Sequence, residues 1–237
     1  MNATQKNNRR GRLIAAAAAV LLVVGGGAAI GTGIWGNQPP PQPPRSAAAP
    51  QTPAASAQPA IPAPTASTPP SPIAAPIVGP ILPPSAPTHI DVPAIGVSSG
   101  LMDLGLNADG TVQVPPLDKS APAGWYQNSP TPGQLGPSII LGHVDSVAEG
   151  PSVFFRLGDI RAGDQVSVTR TDNTVAVFAV EKVERYPKDN FPQLAVYGNT
   201  DHAALRLITC GGVFNSDTGH YVDNIVVYAS LVSSHPA

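Results

Sequence analysis

An all-β barrel or sandwich is the fold this sequence predicts, and three observations lead there. Short apolar runs recur after residue 88 with Pro and Gly between them. Segments with a helical apolar period are nearly absent, and two of the runs read as a hairpin. The hairpin is Gln165 to Arg170 and Thr174 to Val183, with Thr171-Asp172-Asn173 between them and apolar residues alternating along both arms. No internal repeat is present.

Only part of the 237-residue chain can build that fold. The 29 prolines and the 5% aromatic share are spread unequally, and up to about Thr88 more than half of the chain is Ala, Pro, Ser and Gly. A formal charge of -2 and the lack of a basic stripe exclude nucleic acid as a partner. Residues 1–12 are a basic segment with Lys6, Arg9, Arg10 and Arg12 and no acid. Residues 13–35 carry no charge, a run of about 23 positions that is long enough to cross a hydrocarbon core as a helix. The positive cluster before it predicts a cytoplasmic N-terminus, a single pass through the cell membrane and an extracellular C-terminal part. A cleaved signal peptide is the rival reading, and the length favours the anchor. Residues 36–87 are Pro/Ala/Ser-rich with Arg45 as the only formal charge, so they are expected to be a disordered linker, extended at about 3 Å per residue, that holds a domain off the membrane.

The domain is expected over 88–237. Strands are predicted at His89 to Pro93, Thr111 to Val114 and Ser138 to Leu141, with Ala121 to Tyr126 as a loop closed by Trp125 and Tyr126. Ser152 to Leu157 reads as a helical turn that buries Phe154, Phe155 and Leu157. After the hairpin come Arg185 to Pro192, a short segment from Gln193 to Tyr197, a strand over Leu205 to Cys210 and a final strand from Asn224 to Leu231.

The chemistry points to Leu205-Arg206-Leu207-Ile208-Thr209-Cys210-Gly211-Gly212. Alternation puts Arg206, Ile208 and Cys210 on one face and delivers the only cysteine to the end of a strand. Gly211 and Gly212 then permit a turn with positive φ and the close approach of another chain, which makes them candidate substrate-binding positions. A single cysteine has no intramolecular disulfide partner, and in an exported domain a nucleophile is the better reading than a buried small hydrophobe. The thiolate is the reactive form, and a histidine is its natural helper. Of five histidines, His143 follows an apolar strand beside a glycine and His220 lies in the loop after the cysteine; His89, His202 and His235 have surface or terminal contexts. Asp145 fits either a turn or the orientation of an imidazole. His143, Asp145, His220 and Cys210 lack the usual close spacings of metal ligands, so no metal and no cofactor is expected.

Leu-Gly-His-Val-Asp-Ser at 141–146, Asp164 with the hairpin after it, and Leu-Ile-Thr-Cys at 207–210 resemble a sortase. The run from Gly211-Gly212 through Thr218-Gly219-His220-Tyr221 to Asp223-Asn224-Ile-Val-Val-Tyr-Ala229 is similar to the actinobacterial class F (or E-like) group. The resemblance covers about residues 88–232. It implies a closed eight-stranded β-barrel and a cysteine transpeptidase that cleaves an LPXTG-like sorting signal through a thioester and passes the acyl group to a cell-wall amine. Carried over by position, Cys210 is the nucleophile and His143 the general acid/base.

The chain departs from the family at one point. Sortases carry an arginine on the strand after the cysteine, but Gly211 to Ala237 contains neither Arg nor Lys, and the place it would hold falls near Val222–Asn224. Arg206 shares the face of Cys210 and is the expected substitute, ahead of Arg185 and Arg156; failing these, backbone amides or Asn224 would supply the donors. The missing arginine keeps a second reading open, a catalytically weak barrel that binds peptides. A different wall enzyme, an L,D-transpeptidase, would need an arginine just after its cysteine, where Gly-Gly stands.

Overall fold

The computed structural model describes residues 39–44, 76–118, 120–146 and 148–237. The apolar run at 13–35 and most of the proline-rich stretch lie outside the described residues. Among the described residues no helix is long and apolar enough to cross a membrane.

Eight strands close a barrel in the order β1-β2-β3-β4-β9-β10-β8-β7, with β1 pairing back onto β7 so that no long edge is left open. They are β1 (Pro87–Val92), β2 (Val97–Leu104), β3 (Ala123–Tyr126), β4 (Gly136–Leu141), β7 (Gln165–Arg170), β8 (Thr174–Pro187), β9 (Ala203–Asn215) and β10 (His220–Pro236). The short β5 (Asp145–Ser146) and β6 (Gly150–Pro151) pair separately. The β7–β8 hairpin forms as expected, and Asn173 takes the left-handed conformation at its turn, φ 59°, which Asn tolerates better than most residues.

Alternation divides the strands between two apolar layers. Ile90, Val168, Phe178, Leu205, Leu207 and Val227 fill the barrel. Ile139, Ile208, Val226 and Tyr228 point outward and are covered by Val196 of the one-turn helix α1 (Gln193–Tyr197). β9 therefore behaves as its sequence predicts, with odd-numbered residues inward and even-numbered ones outward.

Several expectations change. Thr111 to Val114 holds only an isolated bridge, Leu106 to Val112; its place in the sheet belongs to Val97–Leu104, which pairs with β1 although Ser98, Ser99 and Gly100 dilute its apolar signal. The stretch read as a loop before Trp125 contains β3, which pairs in parallel with β2, a contact invisible to local pattern. Residues 152–157 turn as expected and lead into a 3-10 turn at Leu157–Asp159, with Phe154 and Leu157 fully buried and Phe155 half-buried. Gly211 and Gly212 do not reverse the chain: β9 runs through them to Asn215, and the ladder with β10 shifts register there, between Tyr221 and Asp223. Packing on the barrel also reaches back before His89, where Val78 donates to the Asp201 carbonyl at 2.8 Å and Leu82 to that of Gly133 at 2.8 Å.

What positions the site is the parallel pair β4–β9. Leu141, the last residue of β4, sits level with Ile208, and from there β9 goes on paired with β10.

Candidate active site

Cys210 lies two residues beyond Ile208, and His143 lies two residues beyond Leu141. Because those strands run parallel, and the Gly142 N–H still donates to the Ile208 carbonyl at 3.1 Å, the register brings His143 and Cys210 to neighbouring places on one rim. Cys210 is a free, half-buried thiol, so it is held by the strand yet open to solvent. The His143 ring is also half-buried, and its Nε2 lies 2.7 Å from the Pro115 carbonyl. A carbonyl can only accept, so Nε2 carries the hydrogen, and in the neutral ring the lone pair is on Nδ1.

Asn224 stands directly opposite Cys210 across the β9–β10 ladder, on the same face. Side chains opposed in this way have Cβ atoms about 5 Å apart, within reach of a carboxamide. Two residues past Cys210, Gly212 has φ +79°, and a Cβ there would meet the Asp223 carboxylate at 2.4 Å. Asp223 is almost wholly buried and lies 3.5 Å from Nε of Arg185. The glycine that shapes the rim is therefore required both by its backbone and by the acid packed against it.

One group held against the sulfur is a residue that sequence reasoning missed. Lys188, on the 3-10 turn Lys188–Asn190 after β8, places Nζ 3.5 Å from Cys210 Sγ. It also lines a pocket of about 420 Å³ with His220, Tyr221 and Asp223. Tyr221 packs edge-on against Phe214 and donates its hydroxyl to Asp145. Burial first, then the Asp145 bond, raises its ionisation well above the ordinary phenol range, and the charge of Cys210 adds to this. Asp145 thus fixes a tyrosine rather than the imidazole.

Arg206 is not brought to the thiol. It lies four residues back along β9, roughly 13 Å at strand rise, and its guanidinium stacks 4.4 Å over the Tyr228 ring while Nη1 donates to the Leu205 carbonyl at 3.1 Å. Burial lowers its affinity for a proton, partly offset by Tyr228 and Glu181. Sharing a strand face with Cys210 was not enough, because the outer layer closes over the face between them. Arg156 is engaged with Asp159 at 3.0 Å, and Arg185 with Asp223. Among the described residues no group of three or more His, Cys, Asp or Glu is placed to hold a metal ion.

Comparison with known proteins adds the following. The family described as Sortase domain matches residues 90–232. No curated protein matches the chain. Among solved structures, a sortase D5 transpeptidase of Clostridium perfringens is similar at 21% identity and a TM-score of 0.46, over 62% of this chain and 79% of that one. A pilus-related sortase C of Group B Streptococcus is similar at 16% identity and TM-score 0.48, over 63% of this chain and 68% of that one. A lid mutant of sortase A from Corynebacterium diphtheriae is similar at 16% identity and TM-score 0.47, over 62% and 70%.

Proposed function

This chain belongs to the sortase family, and on that premise we propose that it is a cysteine transpeptidase that cleaves an LPXTG-like sorting signal and transfers the acyl group to a cell-wall amine. The observation that supports the reading is the register of the parallel pair: Leu141 is level with Ile208, His143 follows two residues after the one and the free thiol of Cys210 two residues after the other.

The steps follow from the groups at that rim. The Cys210 proton passes to His143, and the thiolate adds to the scissile carbonyl of the sorting signal. The resulting oxyanion is met by the Lys188 ammonium, which already lies against the sulfur, and by the carboxamide of Asn224. The C–N bond breaks, the imidazolium gives its proton to the departing amine, and a thioester stays on Cys210. An incoming amine then loses its proton to His143, attacks the thioester and regenerates the thiol. Lys188 in this scheme supplies the positive charge that an arginine supplies in the family, from the turn that follows β8, the strand on the far side of β10, rather than from β10 itself. We place the chain in the class F group on the motif run after Cys210, and at the cell membrane, with its barrel outside, on the basic segment and apolar run at 1–35.

The test is incubation of the full chain with a panel of LPXTG-like peptides, with and without an amine, followed by mass spectrometry of Cys210. An acyl adduct that amine discharges, and that is absent in His143→Ala, is expected. No adduct across the panel, with peptides still retained by the protein, would overturn the enzyme in favour of a peptide-binding barrel.

A further inference from the structure

Pro40-Pro41-Gln42-Pro43-Pro44 is part of the stretch that composition reads as a passive spacer, yet it packs beside the strand that carries Cys210. Pro40 and Pro43 are buried while Pro39 and Pro44 are exposed. A three-residue interval between buried positions is the repeat of a polyproline helix laid on a surface by one of its faces.

The contacts are specific. The Gln42 Nε2 donates to the Pro40 carbonyl at 3.0 Å, which folds the side chain back and aims its oxygen outward. That oxygen, Oε1, accepts the Gly212 backbone N–H at 2.7 Å, two residues beyond Cys210. The four prolines among the five residues Pro40–Pro44 have no N–H of their own, and Gln42 carries the only polar side chain of this strap, so its carboxamide is the one side-chain group there that can hydrogen-bond to the rim. Opposite, Gly158 on the 3-10 turn passes so close to the strap that a Cβ there would lie 2.1 Å from the Pro41 carbonyl oxygen and 3.1 Å from Pro43 Cδ. The three atoms such a Cβ would meet first all belong to the strap, and Gly158 is not in the left-handed region, so its backbone alone would accept a side chain. A Cβ on Gly211 would meet Gln42 Oε1 at 2.9 Å. The close approach that the Gly-Gly pair was expected to permit is made by the chain itself.

We propose that Gly158, Gly211 and Gly212 form a binding site for an extended prolyl peptide carrying a glutamine, and that the chain's own Pro40–Pro44 segment is its occupant. Docking ties down the register shift next to Cys210 by taking the Gly212 amide. The site is separate from the acyl-transfer reading: neither Gln42 nor Gly158 touches the reacting groups, and docking is measurable whether or not Cys210 is ever acylated.

Hydrogen exchange on the full chain tests this. The Gly212 amide is expected to exchange at least about tenfold faster in Gln42→Ala and in Gly158→Ala than in the parent, while the amides of Val226 and Val227 in β10 keep their protection and report an intact barrel. Excess Pro-Pro-Gln-Pro-Pro peptide should restore slow exchange in Gln42→Ala and not in Gly158→Ala. Unchanged Gly212 exchange in Gly158→Ala with the barrel intact would overturn the proposal, as would failure of the peptide to protect Gln42→Ala.

Discussion

From Ala203 to Thr209 every residue of β9 is buried, whereas from Cys210 to Asn215 only Gly211 is. Both halves pair with β10 by the same ladder. The difference lies in what covers their faces: the first half has the barrel interior on one side and the Val196 layer on the other, and the second half has run out past both. Pairing with β10 thus carries a strand beyond the core, and the side chains there are released for chemistry. The boundary falls between Thr209 and Cys210.

The comparison is broken most directly at the boundary itself. Cys210→Ala should abolish acyl transfer, a loss of about a thousandfold or more, as for other members of catalytic pairs, with unfolding by urea almost unchanged; a matching loss of stability would mean that the thiol belongs to the buried half. Leu207→Ala, three residues earlier, should do the reverse and cost about 2–5 kcal/mol through the cavity it leaves, read as a lower urea midpoint at the same slope. Lys188→Met is expected to lower kcat/KM by roughly ten- to a hundredfold, a partial donor loss on the scale of oxyanion groups, with Lys188→Arg recovering most of it; equal turnover in all three proteins would remove the lysine from the mechanism. Arg206→Met should leave turnover within about threefold and stability level or higher, since a buried cation is replaced by a side chain that suits its layer. A hundredfold fall in turnover would put Arg206 back at the site.

The smallest effect is expected furthest from the rim, at the hairpin turn. The Thr174 hydroxyl and amide and the Arg170 guanidinium hold the Asp172 carboxyl below its ordinary range. A carboxylate depressed in the folded state adds stability that is present above the unfolded value of about 4 and is lost as pH falls through the folded one. Asp172→Asn should therefore lower the melting temperature slightly at neutral pH and make no difference once acid has protonated the carboxyl in the folded state as well; a constant difference at both would assign the effect to the turn backbone instead.

What was legible in the sequence was whatever local pattern decides. The β7–β8 hairpin, the alternation of β9 and the strand-to-glycine settings of Cys210 and His143 are all statements about neighbours along the chain. What escaped was decided across the sheet. β3 is a four-residue strand that exists because β2 runs beside it, and the apolar pattern of β2 is too weak to announce either. Gly211-Gly212 reads locally as a reversal, but the length of β10 lets the ladder absorb it as a shift in register. Lys188 reaches the sulfur across two strand pairings, a distance of 22 residues along the chain that no spacing rule spans. Arg206 failed for the converse reason: its face was right, and the helix packed over that face was not foreseeable from β9.

The docked prolines change what a visiting chain finds beside the thiol. While Gln42 Oε1 holds the Gly212 amide, that N–H is already occupied. An extended peptide arriving next to Cys210 must displace the Pro40–Pro44 segment to pair there, or bind without that amide, so the same glycine that admits a guest is the point at which two guests compete.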